Sequence, residues 1–80
     1  MTQIIEDIQQ GYLFIYEHKV YMKTNCFHYS EKLSDYINAV RLSDGELFVL
    51  PDKILVYVYT FNCNDLNKAE FDYLRNEVIE

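Results

Sequence analysis

Eighty residues, half of them hydrophobic, exclude a disordered chain and make one domain near the lower size at which a single core sustains itself. Thirteen acidic against seven basic residues give a net charge of −6, which argues against a phosphate-binding surface and fits a basic protein partner or a merely solvated exterior. No run reaches the ~18 apolar residues of a membrane span, the first ten residues have no basic, apolar leader pattern, and two cysteines make no disulfide framework. The chain therefore reads as soluble and cytoplasmic.

Ile4, Ile5 and Ile8 lead in at a spacing that suits one short helical turn, with an extended lead-in ending at Gly11 as the other reading. Tyr12-Leu13-Phe14-Ile15-Tyr16 and Val20-Tyr21-Met22-Lys23-Thr24 flank Glu17-His18-Lys19, and two β-rich runs around three polar residues predict a hairpin. From Asn25 to Tyr36 the alternation is lost, so residues 25–36 read as a long loop. It carries Phe27, His28 and Tyr29, and loops of this length in small domains are frequent contact surfaces. The other reading is that these rings close one end of a barrel.

Residues 37–59 organise the rest. Ser43-Asp44-Gly45-Glu46 lies between Ile37-Asn38-Ala39-Val40-Arg41-Leu42 and Leu47-Phe48-Val49-Leu50, and Asp-Gly between apolar runs is a strong hairpin signal. After Pro51-Asp52 the run from Ile54 to Phe61 is apolar on both faces, so something must cover its second face. Asn67-Lys68-Ala69-Glu70 matches a capping box, and Leu66 with Phe71 a hydrophobic staple, which starts a helix at Lys68. At 100° per residue Phe71, Leu74 and Val78 share one stripe, which docks on the preceding strand, while Glu70, Tyr73 and Glu77 share a neighbouring face. A tyrosine among carboxylates is ordinarily a solvated face; it also suits a basic partner, since Tyr is enriched among interface anchors.

Side chains for chemistry are sparse. Cys26 with His28, or with His18, are the candidate nucleophile–base pairs, but no glycine-rich turn accompanies them to form an oxyanion site. Cys26, His28, His18 and Cys63 are zinc-type donors at a spacing that matches no finger or ribbon. Gly11 and Gly45 are the only glycines and each serves a turn, so no phosphate-cradling loop is present. Only Lys19, Lys23 and Arg41 accompany the aromatic strands, too few for an RNA-binding face. No enzyme activity, cofactor or metal is expected, and nucleic acid is not an expected partner.

Gly11 with Phe14 and Tyr16, Lys19-Val20-Tyr21-Met22-Lys23-Thr24, Asn38-Ala39-Val40-Arg41-Leu42 and Asp44-Gly45-Glu46-Leu47 together resemble a small β-barrel pattern of uncharacterised bacteriophage accessory proteins, over roughly residues 8–58. The resemblance implies a phage protein acting inside a bacterium by binding and blocking a host protein. It carries no catalytic or ligand residues. The expectation is one domain over residues 1–80 of the mainly β (α+β) class. It comprises a partly open, SH3-like antiparallel barrel of about five strands over residues 1–61 and a C-terminal helix over 67–79. The expected function is non-enzymatic: a protein-binding module, phage-encoded, that inhibits a host or anti-phage defence protein. Its contacts would be Phe27, Tyr29, Glu70, Tyr73 and Glu77, and its partner a protein with a basic surface. The alternatives are an oligomer that sequesters a nucleotide signal between subunits and a structural component of a virion.

Overall fold

The computed structural model describes residues 1–29 and 34–75, with the backbone alone at 26–29, 34–36 and 75. Six antiparallel strands form one open sheet in the order β1-β6-β2-β3-β4-β5, where β1 is Thr2–Ile4, β2 Tyr12–Tyr16, β3 Lys19–Tyr29, β4 Ser34–Arg41, β5 Leu47–Phe48 and β6 Leu55–Asn62. One helix, α1 (Lys68–Arg75), follows. The mainly β class with a C-terminal helix is the expected one, and the strand count rises from about five to six through β1.

That first strand replaces the expected helical turn. The isoleucine spacing suits a helix, but Thr2, Gln3 and Ile4 pair with Tyr57, Val56 and Leu55, and only a 3₁₀ turn, Ile5–Asp7, remains. The pairing is worth more than a short helix, which is marginal on its own. Lys23 fixes the turn from the far side of the core. It is buried, and its ammonium donates to the carbonyls of Ile5 (2.8 Å) and Ile8 (3.2 Å). Burial lowers its pKa, against the opposing pull of Asp52, Asp7 and Glu6.

The β2–β3 hairpin forms as expected, with a two-residue joint. Tyr16 pairs with Lys19, and Glu17 and His18 both take positive φ (48° and 68°), as a type I′ turn requires. Cross-strand pairing of Leu13 with Met22 and Phe14 with Tyr21 therefore overrides the lack of glycine at this joint.

Residues 25–29 and 34–36 are strand, not loop. Cys26, Phe27, His28 and Tyr29 pair with Ile37, Tyr36, Asp35 and Ser34. The register shifts between Lys23 and Cys26, so β3 spends one extra residue there and its inside–outside alternation changes phase. That phase change reads as irregular chain in the sequence. Among the described residues, this end of β3 pairs with β4 alone and extends the molecule as a two-stranded ribbon. Its eleven residues, ~36 Å at the usual rise, match the 38 Å long axis.

The Asp-Gly hairpin forms, but β5 is two residues long and β6 is not its neighbour. After Phe48 the chain leaves β4 and crosses to the other side of the sheet, where Ile5 N–H donates to the Ile54 carbonyl and Glu6 N–H to that of Asp52 (both 3.0 Å). Asn38 holds the departure point. Its amide accepts from Leu50 N–H (2.7 Å) and donates to the Leu50 carbonyl (2.8 Å) and Asp52 Oδ1 (3.0 Å). The side chain thus acts as a strand neighbour for one residue.

Two apolar clusters result, one on each face of the sheet. The inner one gathers Ile5, Ile8, Phe14, Tyr21, Ala39, Leu50, Val56 and Val58. The outer one gathers Leu13, Val20 and Leu42 beneath Leu74, with Phe71, Tyr59, Phe61 and Leu66 packed around them. The expected docking of α1 through Phe71 and Leu74 is what forms; Val78 lies outside the described residues.

At the hairpin tip Arg41 binds Asp44 through two nitrogens (3.1 and 2.6 Å) and Glu46 through one (2.6 Å), and lies over the Phe48 ring. The guanidinium and the Glu46 N–H hold the Asp44 carboxyl down at about 2. A depressed carboxylate stabilises the fold fully above its ordinary value of 3.8, and that contribution is lost as pH falls through about 2. Asp44→Asn should therefore flatten part of the acid limb of a stability–pH curve measured by urea unfolding. An unchanged slope over that window would show that the pair contributes nothing.

Candidate functional site

The start of α1 is set as its sequence predicts. Glu70 N–H donates to Asn67 Oδ1 (2.8 Å) and Asn67 N–H to Glu70 Oε1 (3.1 Å), a complete capping box. Upstream lies a second box that sequence reasoning missed. Asn62 Oδ1 accepts from Asn64 N–H (2.9 Å) and Asp65 Oδ2 from Asn62 N–H (3.0 Å) at the 3₁₀ turn Cys63–Asp65. The Asn-x-x-Asp spacing of residues 62–65 is the signal that marks it. Two boxes in succession fix the angle at which the chain leaves β6 and turns back over the sheet.

Between that turn and α1 lies an open groove of about 390 Å³, lined by Phe61, Leu66, Ala69, Glu70, Tyr73 and Leu74. Its floor is apolar, and Ala69 leaves room at one wall. Tyr73 is 69% exposed. Helical spacing puts Lys68 on the opposite side, so among the described residues Glu70 is the charged side chain lining the groove. Part of that carboxylate is occupied by the cap.

The groove continues onto β6. Leu55, Tyr57, Tyr59 and Phe61 alternate onto the outer face, and the rings touch in a row along the strand, Tyr57 edge-on to Tyr59 at 5.8 Å and Tyr59 tilted against Phe61 at 5.3 Å. The expectation that the helix covers this whole face is corrected at its far end, where Leu55 is 64% and Tyr57 49% exposed. Leu74 and Phe71 of α1 pack with Tyr59 and Phe61, so the described part of the helix shields the Phe61 end of the strand and the Leu55 end is open.

Of the five contact residues expected from sequence, the structure brings Glu70 and Tyr73 together at the groove. Phe27 and Tyr29 belong to β3, not to a loop, and pair with Tyr36 and Ser34 on the ribbon. Glu77 lies outside the described residues. Leu55, Tyr57 and Phe61 are the members that sequence reasoning left out, because an apolar strand reads as buried on both faces.

Two further concavities carry less. One of about 200 Å³ lies against β1, lined by Met1, Gln3, Asp7, Ile8, Gln9, Tyr12 and Val58. Another of about 390 Å³ surrounds Gly11, Lys23 and Cys63, but the Lys23 ammonium is committed to the Ile5 and Ile8 carbonyls. Cys63 is half-buried beside the outer cluster. Among the described residues no three His, Cys, Asp or Glu side chains converge as metal ligands, and no helix is long and apolar enough to cross a membrane. No protein family, curated protein or solved structure matches the chain.

Proposed function

We propose that the protein is a non-enzymatic protein-binding module whose contact surface is the groove beside Tyr73 together with the ring row of β6. The observation that carries this reading is an exposed tyrosine over an apolar floor, continuous with the exposed Tyr57 and Leu55, on a chain of net charge −6. Aromatic anchors and desolvated pockets supply most of the binding energy at protein interfaces. The complementary partner is a basic segment that inserts an apolar side chain between Leu66, Ala69 and Tyr73 and sets a Lys or Arg near Glu70. The resemblance to phage accessory proteins supports a phage-encoded inhibitor of a host or defence protein, acting by occupying that segment.

Affinity capture from bacterial lysate, followed by titration of the captured protein, tests this. Tyr73→Ala and Ala69→Arg should each weaken binding at least tenfold, the loss of ~1.4 kcal/mol expected of an interface anchor. Glu70→Gln should weaken it less, because glutamine preserves the capping box while removing the charge. Glu70→Lys is a poor probe, since it breaks the cap that positions the helix. Unchanged affinity in Ala69→Arg would remove the groove from the contact surface. A small molecule in place of a protein, detected by native mass spectrometry, would overturn the reading in favour of a sequestering role.

A further inference from the structure

Beyond the groove, and independent of it, the sheet has an open edge at β5. β5 lies at one end of the strand order. Phe48 and Leu50 turn inward to the inner cluster, so Leu47 and Val49 turn outward, and they are 51% and 58% exposed. The backbone alternates in step. Glu46 accepts from Arg41 N–H, Phe48 pairs with Ala39, and both polar groups of Leu50 bind Asn38. The N–H and C=O of Leu47 and Val49 consequently point away from β4, toward the open edge.

Proteins blunt such an edge with a very short strand, a lysine, a proline or an inward charge, and of these β5 has only its shortness. Leu47-Phe48-Val49-Leu50 carries no lysine, proline or charge, and Pro51 comes only after the strand has left the sheet. The opposite edge differs, because Ile4 is half-buried against β6.

We infer that the edge over residues 47–49, which is β5 and the residue after it, pairs with the same edge of a second copy of this chain, antiparallel about a two-fold axis at Phe48. In that register Leu47 faces Val49 of the partner subunit, and Val49 faces the partner's Leu47. Each pair exchanges two backbone hydrogen bonds, four in all, and the exposed aliphatic side chains meet across the joint. A second copy fits this edge because the sequence is self-complementary there. The antiparallel arrangement also carries the two Arg41–Asp44–Glu46 clusters to opposite ends of the joint. Two chains of charge −6 can therefore touch here without setting like charges face to face. The joint is short, below the ~1,200 Å² of a stable interface, so the dimer exchanges with monomer.

Sedimentation equilibrium from about 10 µM to about 1 mM reads the association directly. The wild-type average mass should climb from 9.6 kDa toward twice that value. Leu47→Glu and Val49→Lys each replace an exposed side chain, so both should keep the wild-type circular dichroism spectrum and associate at least tenfold more weakly. An equimolar mixture of the two variants should regain association, because the new carboxylate at position 47 lies opposite the new ammonium at position 49. A mass that stays at 9.6 kDa throughout would overturn the inference. So would single variants that associate like the wild type, or a mixture that shows no recovery.

Discussion

Asn38→Leu is expected to cost about 2–5 kcal/mol, the largest loss foreseen for a polar residue in this chain. The side chain is 1% exposed, and its amide satisfies both backbone groups of Leu50 where the chain leaves β4. Leucine matches the volume but leaves that N–H and carbonyl buried without partners, at about 1–3 kcal/mol each. Against a total of roughly 4–12 kcal/mol for eighty residues, much of the folded population should go. Asn38→Asp separates the two halves of the amide. It still accepts from Leu50 N–H, but at neutral pH it sets a carboxylate against the Leu50 carbonyl and Asp52. Acidification should recover part of its loss, as the protonated acid becomes a donor. Urea unfolding of both variants at two pH values checks this; a loss below about 0.5 kcal/mol for leucine would mean that water replaces the amide.

Gly11→Ala should cost about 2–3 kcal/mol and loosen the whole C-terminal segment. Gly11 has φ +91°, and a Cβ there would lie 2.6 Å from the Asn62 amide nitrogen. The positive φ alone costs about 1–2 kcal/mol, and pushing Asn62 aside breaks the cap of the Cys63–Asp65 turn for about 1 more. Cys63 N–H also donates to the Gly11 carbonyl (2.8 Å), so the displacement reaches the segment that positions α1. Gly45→Ala is the control, because its φ is +72° but nothing lies within 4 Å of the added carbon. Hydrogen exchange should show the Cys63 and α1 amides losing protection in the first variant and keeping it in the second. Equal costs at the two glycines would mean that the contact with Asn62 is immaterial.

Local chemistry made part of this molecule legible in advance. Asn67 and Glu70 cap α1 as their spacing requires, Asp44-Gly45 turns the chain, and Phe71 with Leu74 forms the buried stripe. The exposed Tyr73 beside Glu70 follows from that helix phase, so half of the candidate site was visible. The other half was not, because the exposure of Leu55 and Tyr57 depends on where along β6 the helix packs, which no residue of the strand itself encodes. The ribbon was hidden for a different reason. One extra residue in β3 shifts the alternation beyond Lys23, and the shift is intelligible only against the partner strand.

The turns, the helix start and the β-rich segments follow from local residue order, since each depends on residues within four positions of one another. Long-range packing set the rest: β6 lies between β1 and β2, Lys23 is buried against the Ile5 and Ile8 carbonyls, and Asn38 takes the place of a strand. Those outcomes join groups twelve or more residues apart, where the choice among partners is made by competing burial and hydrogen bonding across the whole fold rather than by any local preference.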